Sequence, residues 1–432
     1  MIVSCFDAKI QQFSNQKITI LQLQLLAMPF KLLRQKTVLL PTLWGWLILI
    51  LLFLIACWLL LKGTYPFLSH EKAGQSKVLV VEGWLPDNGL KEAMAFYYEN
   101  NYKALIITGI PITQWSYSSP FSNMADASAG SLREMHFADS IYTVHIPNTI
   151  LRDRTYATAI ALQMRWDEFN LGEESFDLFT MGAHARRSYL MFEKVFEDRI
   201  QGLIVVEDDS FEANRWYTTS RGFRTVFSEL ISYFYARIFF RAEPQKVKQE
   251  IRLGLYLDQI QDERYRKDRY FKDQETTPLA TEAISAFKGL DYFDTDTNFR
   301  KHARFTKQIA ASTFTMPTTT DRLPVYRKYG LIQFTHMDTV HALTAYQNMD
   351  ILEKDSTYKG LFIPFKDFTN GVTTYGGGRY LDIAIPESDS IQLDFNKAYN
   401  PYCAYDYRWS CPIPPDENHL RTSILAGEKK FD

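Results

Sequence analysis

KVLVVEGWLPDNGLKEAMAFYYENNYKALIITG, residues 77–109, holds an unbroken apolar run closed by Gly83, a stretch with helical spacing, and a second apolar run closed by Gly109. Runs this apolar and this short read as strands buried on both faces, and the amphipathic stretch between them reads as a helix covering one of those faces. The alternation continues downstream. NMADASAGSLREMHF, IYTVHIP, RTYATAIALQMRWDEFN, SFDLFTMG, AHARRSYLMFEKVF and GLIVVE follow in turn, and Phe223–Phe240 makes a closing amphipathic helix. Five β-α alternations predict a three-layer α/β domain over residues 77–242, with a parallel sheet covered by helices on both faces. The polar stretch RAEPQKVKQE after it predicts a domain boundary.

Ligands of such sheets sit beyond the carboxyl ends of the strands, where helix N-termini turn free N–H groups outward. The residues expected there are Glu82, Gly83, Trp84 and Asp87 after the first strand, and Thr108 and Gly109 after the second. Asp126 opens the next helix. Arg152, Asp153, Arg154 and Thr155 follow the third strand, with Thr155 as the expected N-cap, and Gly182, His184, Arg186 and Arg187 follow the fourth. Up to four arginines near one crevice favour an anionic ligand, a phosphate or a carboxylate. Arg186 and Arg187 are adjacent, so at most one can face the crevice. Glu82, Asp126 and His184 are the candidates for acid–base chemistry. Gly83, Trp84, Asp87, Thr108, Gly109, Arg154, Thr155 and Arg186 are the candidates for ligand binding.

These strand-end motifs resemble the YdcF/SanA/ElyC family (the DUF218 domain): VLVVEGW, AMAFYYENN, LIITG, Asp126, Arg154-Thr155 and His184-Ala-Arg186-Arg187 fall in that family's order. Three departures stand out. The family's run of glycines after the first strand is Glu82-Gly83-Trp84 here, its Asn before the Thr is Arg154, and its later Asn falls near Thr158. The resemblance implies a Rossmann-like fold, often anchored by an N-terminal helix, and a link to envelope and peptidoglycan physiology.

N-terminal to this domain, no charged side chain stands between Lys36 and Lys62. About 25 such residues are enough to cross a bilayer core of about 30 Å as a helix. Residues 37–62 are therefore expected as a transmembrane helix, with Trp44, Trp46, Tyr65 and Phe67 at its interfaces. Lys31, Arg34 and Lys36 flank its N-terminal end, whereas the other flank dilutes Lys62, Lys72 and Lys77 with Glu71. This asymmetry predicts a single-pass plasma (inner) membrane protein, with residues 1–36 cytoplasmic and the main domains extracytoplasmic. Met28 would give a conventional short cytoplasmic start.

From about residue 250 to 432 the runs RFTKQIAASTFTM, YGLIQFT, HALTAYQN, GLFIPFKDFT, RYLDIAIP and SIQLDFN predict a mainly antiparallel β domain behind an N-terminal helix. Its polar residues gather around Gly376-Gly377-Gly378. Tyr375, Gly377, Arg379, Asp394, Asn396 and Asn400 are either a binding site or a buried hydrogen-bonded network. No nucleotide loop, HExxH or CxxC is present in this part; no metal ligands are assigned and the cofactor is unknown. The segments KDFTNGVTTYGGGRYLD, LDFNKAYNPYCAYDYRWSCPIPPDEN and AGEK resemble the DUF1684 family, whose pattern includes all six candidates together with Cys403, Cys411, Glu417 and Asn418. The resemblance names the domain and implies no activity.

Cys403 and Cys411 are the only cysteines close in sequence, and an oxidising compartment would favour a disulfide between them; two free thiols or a zinc site are the alternatives. Lys and Arg number 48 against 50 Asp and Glu, so there is no global field for nucleic acid. The chain is expected to be a cell-envelope protein that holds an anionic small molecule or envelope precursor. Either it acts as a hydrolase or transferase in envelope or peptidoglycan maintenance, or it serves as a non-catalytic binding or scaffold module.

Overall fold

The structure is a computed structural model and describes residues 40–112 and 121–431. The expected cytoplasmic segment, with Lys31, Arg34 and Lys36, lies outside the described residues, as do residues 37–39 at the start of the expected span. Residues up to Gly63 form one unit and those from Thr64 onward another.

The first unit holds most of helix α1, Leu43–Leu68. Thr42 Oγ1 accepts a hydrogen bond from Gly45 N–H at 3.2 Å at the start of this helix. An 18-residue window of this helix has mean hydropathy 2.7 and no buried residue, so it is long and apolar enough to cross a membrane. The helix runs six residues past the expected end at residue 62.

In the second unit the strands are β1 (Val78–Glu82), β2 (Ala104–Gly109), β3 (Ile141–His145), β4 (Phe176–Met181) and β5 (Ile200–Val206). The helices are α2 (Asp87–Glu99), α3 (Met124–Glu134), α4 (Arg154–Arg165), α5 (Ala185–Phe196) and α6 (Ser220–Ile238). All strand pairs are parallel, in the order β3-β2-β1-β4-β5. Alternate residues of β1 serve opposite layers, because strand side chains alternate between faces. Val78 and Val80 pack with Ile160 of α4 and Phe192 of α5, while Leu79 and Val81 pack with Leu90 of α2 and Leu132 of α3. The chain leaves β1 toward β2 and β3, then returns to the other side for β4 and β5. The strand order therefore reverses between β1 and β4, which opens a crevice at their carboxyl ends.

The expected boundary at residues 242–250 is instead the start of one continuous helix, α7 (Pro244–Lys272). Its first half belongs to the α/β layer. Ile251 is fully buried in that core, and the backbone at Gly254 runs so close to Pro147 and Thr149 that a Cβ would come within 2.3 Å of Thr149 Oγ1. The same helix also serves the β domain, where Tyr256 donates to Asp394 at 2.9 Å and, further along, Lys267 pairs with Glu428.

The β domain is a seven-stranded antiparallel sheet. It comprises β6 (Arg300–Lys307), β7 (Phe314–Thr315), β8 (Val325–His336), β9 (Thr339–Asn348), β10 (Gly360–Phe365), β11 (Arg379–Ala384) and β12 (Ser390–Asp394). The order is β11-β10-β9-β8-β6-β12, with β7 beside β8. Ile332, Leu343, Leu361, Ile363, Phe365, Leu393 and Phe395 make its core.

Candidate functional site

A cleft of about 750 Å³ opens at the point where the strand order reverses. Glu82 ends β1 on its floor, Thr108 and Gly109 end β2, Met181 ends β4, and Ala183 and His184 follow it. Arg154 and Thr155 begin α4 at one wall, and Glu229, Ile231 and Tyr235 of α6 close the other. Gly109 is required there, because a Cβ would meet Ala125 N at 2.2 Å.

The floor is a chain of four charged groups. Glu82 accepts from Ser188 Oγ at 2.7 Å and from Thr180 Oγ1, and lies 3.6 Å from His184 Nε2. His184 Nδ1 lies 3.0 Å from Glu229 Oε1. Arg187 donates to both Glu229 oxygens, at 2.8 and 3.0 Å, and to Thr155 Oγ1 at 3.2 Å. Trp84 sits edge-on against the imidazole, with ring centroids 5.1 Å apart.

Burial opposes the charge of His184, but Glu82 and Glu229 outweigh it and hold the imidazole up at about 9. Burial likewise opposes ionisation of Glu229, yet His184 and Arg187 bring it down to about 2. Glu82 is also lowered, against its burial, chiefly by His184. At neutral pH the four groups carry two positive and two negative charges and cancel. The two carboxylates favour the imidazolium form of His184, while Arg187 Nη2 lies 3.0 Å from its Nδ1.

The N-terminus of α4 faces the cleft without a side-chain cap. Its N-cap is Asp153, held in the left-handed region at φ 49°, and not the expected Thr155, which lies inside the helix. A non-glycine residue there costs of order 1 kcal/mol and clusters at functional sites.

Several expected residues stand elsewhere. Arg186 turns away, donating to Phe67 O at 2.6 Å and stacking 4.0 Å from the Phe67 ring. Arg152 and Asp87 do not line the cleft. Asp126 belongs to the cap of α3: its N–H donates to Asn123 Oδ1 at 2.9 Å, and its carboxylate accepts from Asn123 Nδ2 at 2.7 Å. Gly83 is a packing glycine, bonded to Thr108 O at 2.6 Å and to Ser128 Oγ at 2.6 Å. Of the four arginines expected at the crevice, Arg154 and Arg187 line it, and Arg187 is committed to Glu229.

Glu229 is the residue that sequence reasoning missed. Its one signal is being the single acidic residue of α6.

The second-domain candidates do not converge on one cavity. Arg379 is fully buried, bonded to Asp367 at 2.9 Å and to the carbonyls of Ile424 at 2.8 Å and of Ala426. Asn396 donates to Tyr256 at 2.9 Å, and together with Asp394 it ties α7 to the sheet. Asn400 donates to Lys429 O at 2.7 Å. Tyr375 packs over Gly377, with its hydroxyl 3.6 Å from Cys403 Sγ. Arg379, Asn396 and Asn400 are buried in hydrogen bonds, while Tyr375, Gly377 and Asp394 are half-buried. Cys403 and Cys411 are free thiols side by side, with Cys403 N–H donating to Cys411 Sγ at 3.2 Å. Contact with Cys411, opposed by burial and aided by Tyr375 and Thr319, lowers the Cys403 thiol to about 6.

Fold and site together define an α/β protein with a cleft at the strand-order reversal, joined through a shared helix to an antiparallel β domain. Residues 285–429 match the family described as "Protein of unknown function (DUF1684)", so a DUF1684 domain occupies that stretch. The match begins at residue 285 rather than near 250, so α7 and the α/β domain lie outside it. The chain is also similar to an uncharacterized protein of Haloarcula marismortui, solved by solution NMR. Identity is 34%, over 40% of this chain and 94% of that one, at a TM-score of 0.34. No curated protein matches the chain.

Proposed function

We propose that this is a membrane-anchored protein of the cell envelope whose YdcF/SanA-like α/β domain holds an anionic small molecule or envelope precursor. The supporting observation is the N-terminus of α4, without a side-chain cap and with Arg154 and Thr155, at a cleft where Glu82, His184, Arg187 and Glu229 pair with one another. Free N–H groups at a helix start bind phosphate and carboxylate oxygens. Asp153, next to Arg154 at the same helix start, and Asp208 also line the cleft and oppose an anion, so Arg154 is the cation that the proposed ligand depends on. Because Glu82, His184 and Glu229 satisfy one another, the arrangement favours holding a ligand over transferring protons.

Melting of the full chain in detergent with inorganic phosphate, pyrophosphate or a nucleoside diphosphate sugar tests this reading. Arg154→Ala is expected to weaken binding by about 1.5–3 kcal/mol, roughly tenfold to a hundredfold. Arg186→Ala should bind as the parent does, since that side chain is turned to Phe67. Equal affinity of parent and Arg154→Ala, or no shift with any of the three anions, defeats the proposal.

The anchor and compartment are read from α1 and its basic N-terminal flank. A reporter fused after Asp432 is expected to behave as extracytoplasmic; cytoplasmic activity overturns that orientation. In that compartment Cys403 and Cys411, adjacent as thiols, are expected to pair. A ring this short contributes roughly 2.5–3 kcal/mol by loop entropy. Thiol labelling of unfolded protein from native cells should then reach both only after reduction, and labelling without reductant sinks the disulfide.

A further inference from the structure

Helix α6 carries an apolar stripe that the described residues of the second unit leave exposed. Phe223, Phe227, Ile231, Phe234 and Ile238 recur every three or four residues and so share one face. Their exposure runs from 45% at Phe223 to 65% at Ile238. The opposite face, with Gly222, Val226 and Ala236, is buried against the domain. Arg221, Arg224, Arg237 and Arg241 flank the stripe, all exposed. Glu229 is the only acidic residue of the helix and is used up by His184 and Arg187 in the cleft.

We propose that α6 lies in the headgroup layer of the bilayer that α1 crosses, its aromatic stripe at the acyl boundary and its arginines on anionic phospholipid. This rests on the membrane-anchor reading of α1. An aromatic face bordered by arginines is the composition of helices that lie in the interface with their apolar side about 5–10 Å deep. The covalent chain places α6 within reach. Phe67 follows Lys62 by five residues, which extend at most about 17 Å, and its ring packs on Tyr233 of α6 with centroids 5.4 Å apart. A second copy is the poorer partner. A two-fold contact through this stripe would set the four arginines of one protomer against those of the other, and like charges juxtaposed at an interface are strongly unfavourable. Ile231 and Tyr235 also line the cleft, so its α6 wall would stand at headgroup level.

The test uses the full chain in liposomes of phosphatidylethanolamine and phosphatidylglycerol, with Phe227 replaced by the photoreactive p-benzoylphenylalanine. The same residue at Trp58 of α1 reports on the span. Phe227 is exposed, so the replacement leaves the core intact. Irradiation is expected to give phospholipid adducts at both positions. Exchanging phosphatidylglycerol for phosphatidylcholine should cut the yield at position 227 and leave that at 58 unchanged. Lipid adducts at 58 with none at 227, or a crosslink from 227 to a second copy or to another part of this chain, overturn the proposal while the anchor stands. An absence of lipid adducts at 58 rejects the anchor, and the proposal with it.

Discussion

Asp367→Ala is expected to cost the β domain about 3–5 kcal/mol, because it strips the counter-charge from a guanidinium that cannot reach water. The Asp367 and Arg379 side chains are both 0% exposed, and they meet at 2.9 Å. The guanidinium also reaches the carbonyls of Ile424, Ala426 and Glu428, which hold the C-terminal segment against β11. The carboxylate meanwhile accepts from Thr369 N–H at 2.8 Å and from Ile424 N–H at 3.3 Å. Alanine would leave a buried charge facing neutral carbonyls and would orphan those donors as well. Removing both charges together, as Asp367→Leu with Arg379→Met, should cost less than Asp367→Ala alone, since no charge then stays behind unpaired. With two cores in the chain, a single global melt does not isolate this effect, so hydrogen exchange of the β10 and β11 amides is the suitable measure. Parent-like protection in Asp367→Ala would show that the pair is dispensable.

The second large effect is a pH dependence of the α/β domain centred on His184. Its pKa is raised from 6.5 unfolded to about 9 folded, so the stability it contributes is complete below 6.5 and is lost as pH rises through 9. A shift of this size is worth on the order of 3 kcal/mol, shared with the carboxylates that cause it. Glu229 has the opposite sign. Its pKa falls from 4.5 to about 2, so its contribution is present above 4.5 and lost as pH falls through 2. The domain is therefore expected to be most stable between about pH 4.5 and 6.5 and to weaken steadily toward pH 9. His184→Gln should flatten the alkaline limb while lowering stability at pH 6, because Glu82 then stays buried without a counter-ion. Exchange protection of the β1 and β4 amides across this range checks both statements. Parallel slopes in parent and variant between pH 7 and 9 would falsify the assignment to His184.

The local sequence carried much of this architecture. VLVVE can hide every side chain only between two helical layers, and the uncharged stretch after Lys36 can satisfy its backbone in lipid only as a helix. TYGGGRYLD and LDFNKAYNP carry a family pattern that needs no three-dimensional knowledge to read. Each feature is local, set by side-chain periodicity or by the backbone freedom of a few residues.

The site is a different kind of object. Successive helical residues point about 100° apart, so which of Arg186 and Arg187 enters the cleft depends on how α5 is rotated against β4 and α6. Packing turns Arg187 inward and leaves Arg186 on Phe67. Glu229 meets His184 from 45 residues downstream, and Asp126, expected in the crevice, is captured by Asn123 three residues away. Tyr256 and Asp394 join across 138 residues, which turns an expected domain boundary into a shared helix. The sequence by itself determined which segments are strands, helices and a candidate span, because those follow from interactions between near neighbours. Only the tertiary structure decided which charges pair and which stay free for a ligand, because a buried charge is settled by whatever distant partner packing brings within about 3 Å.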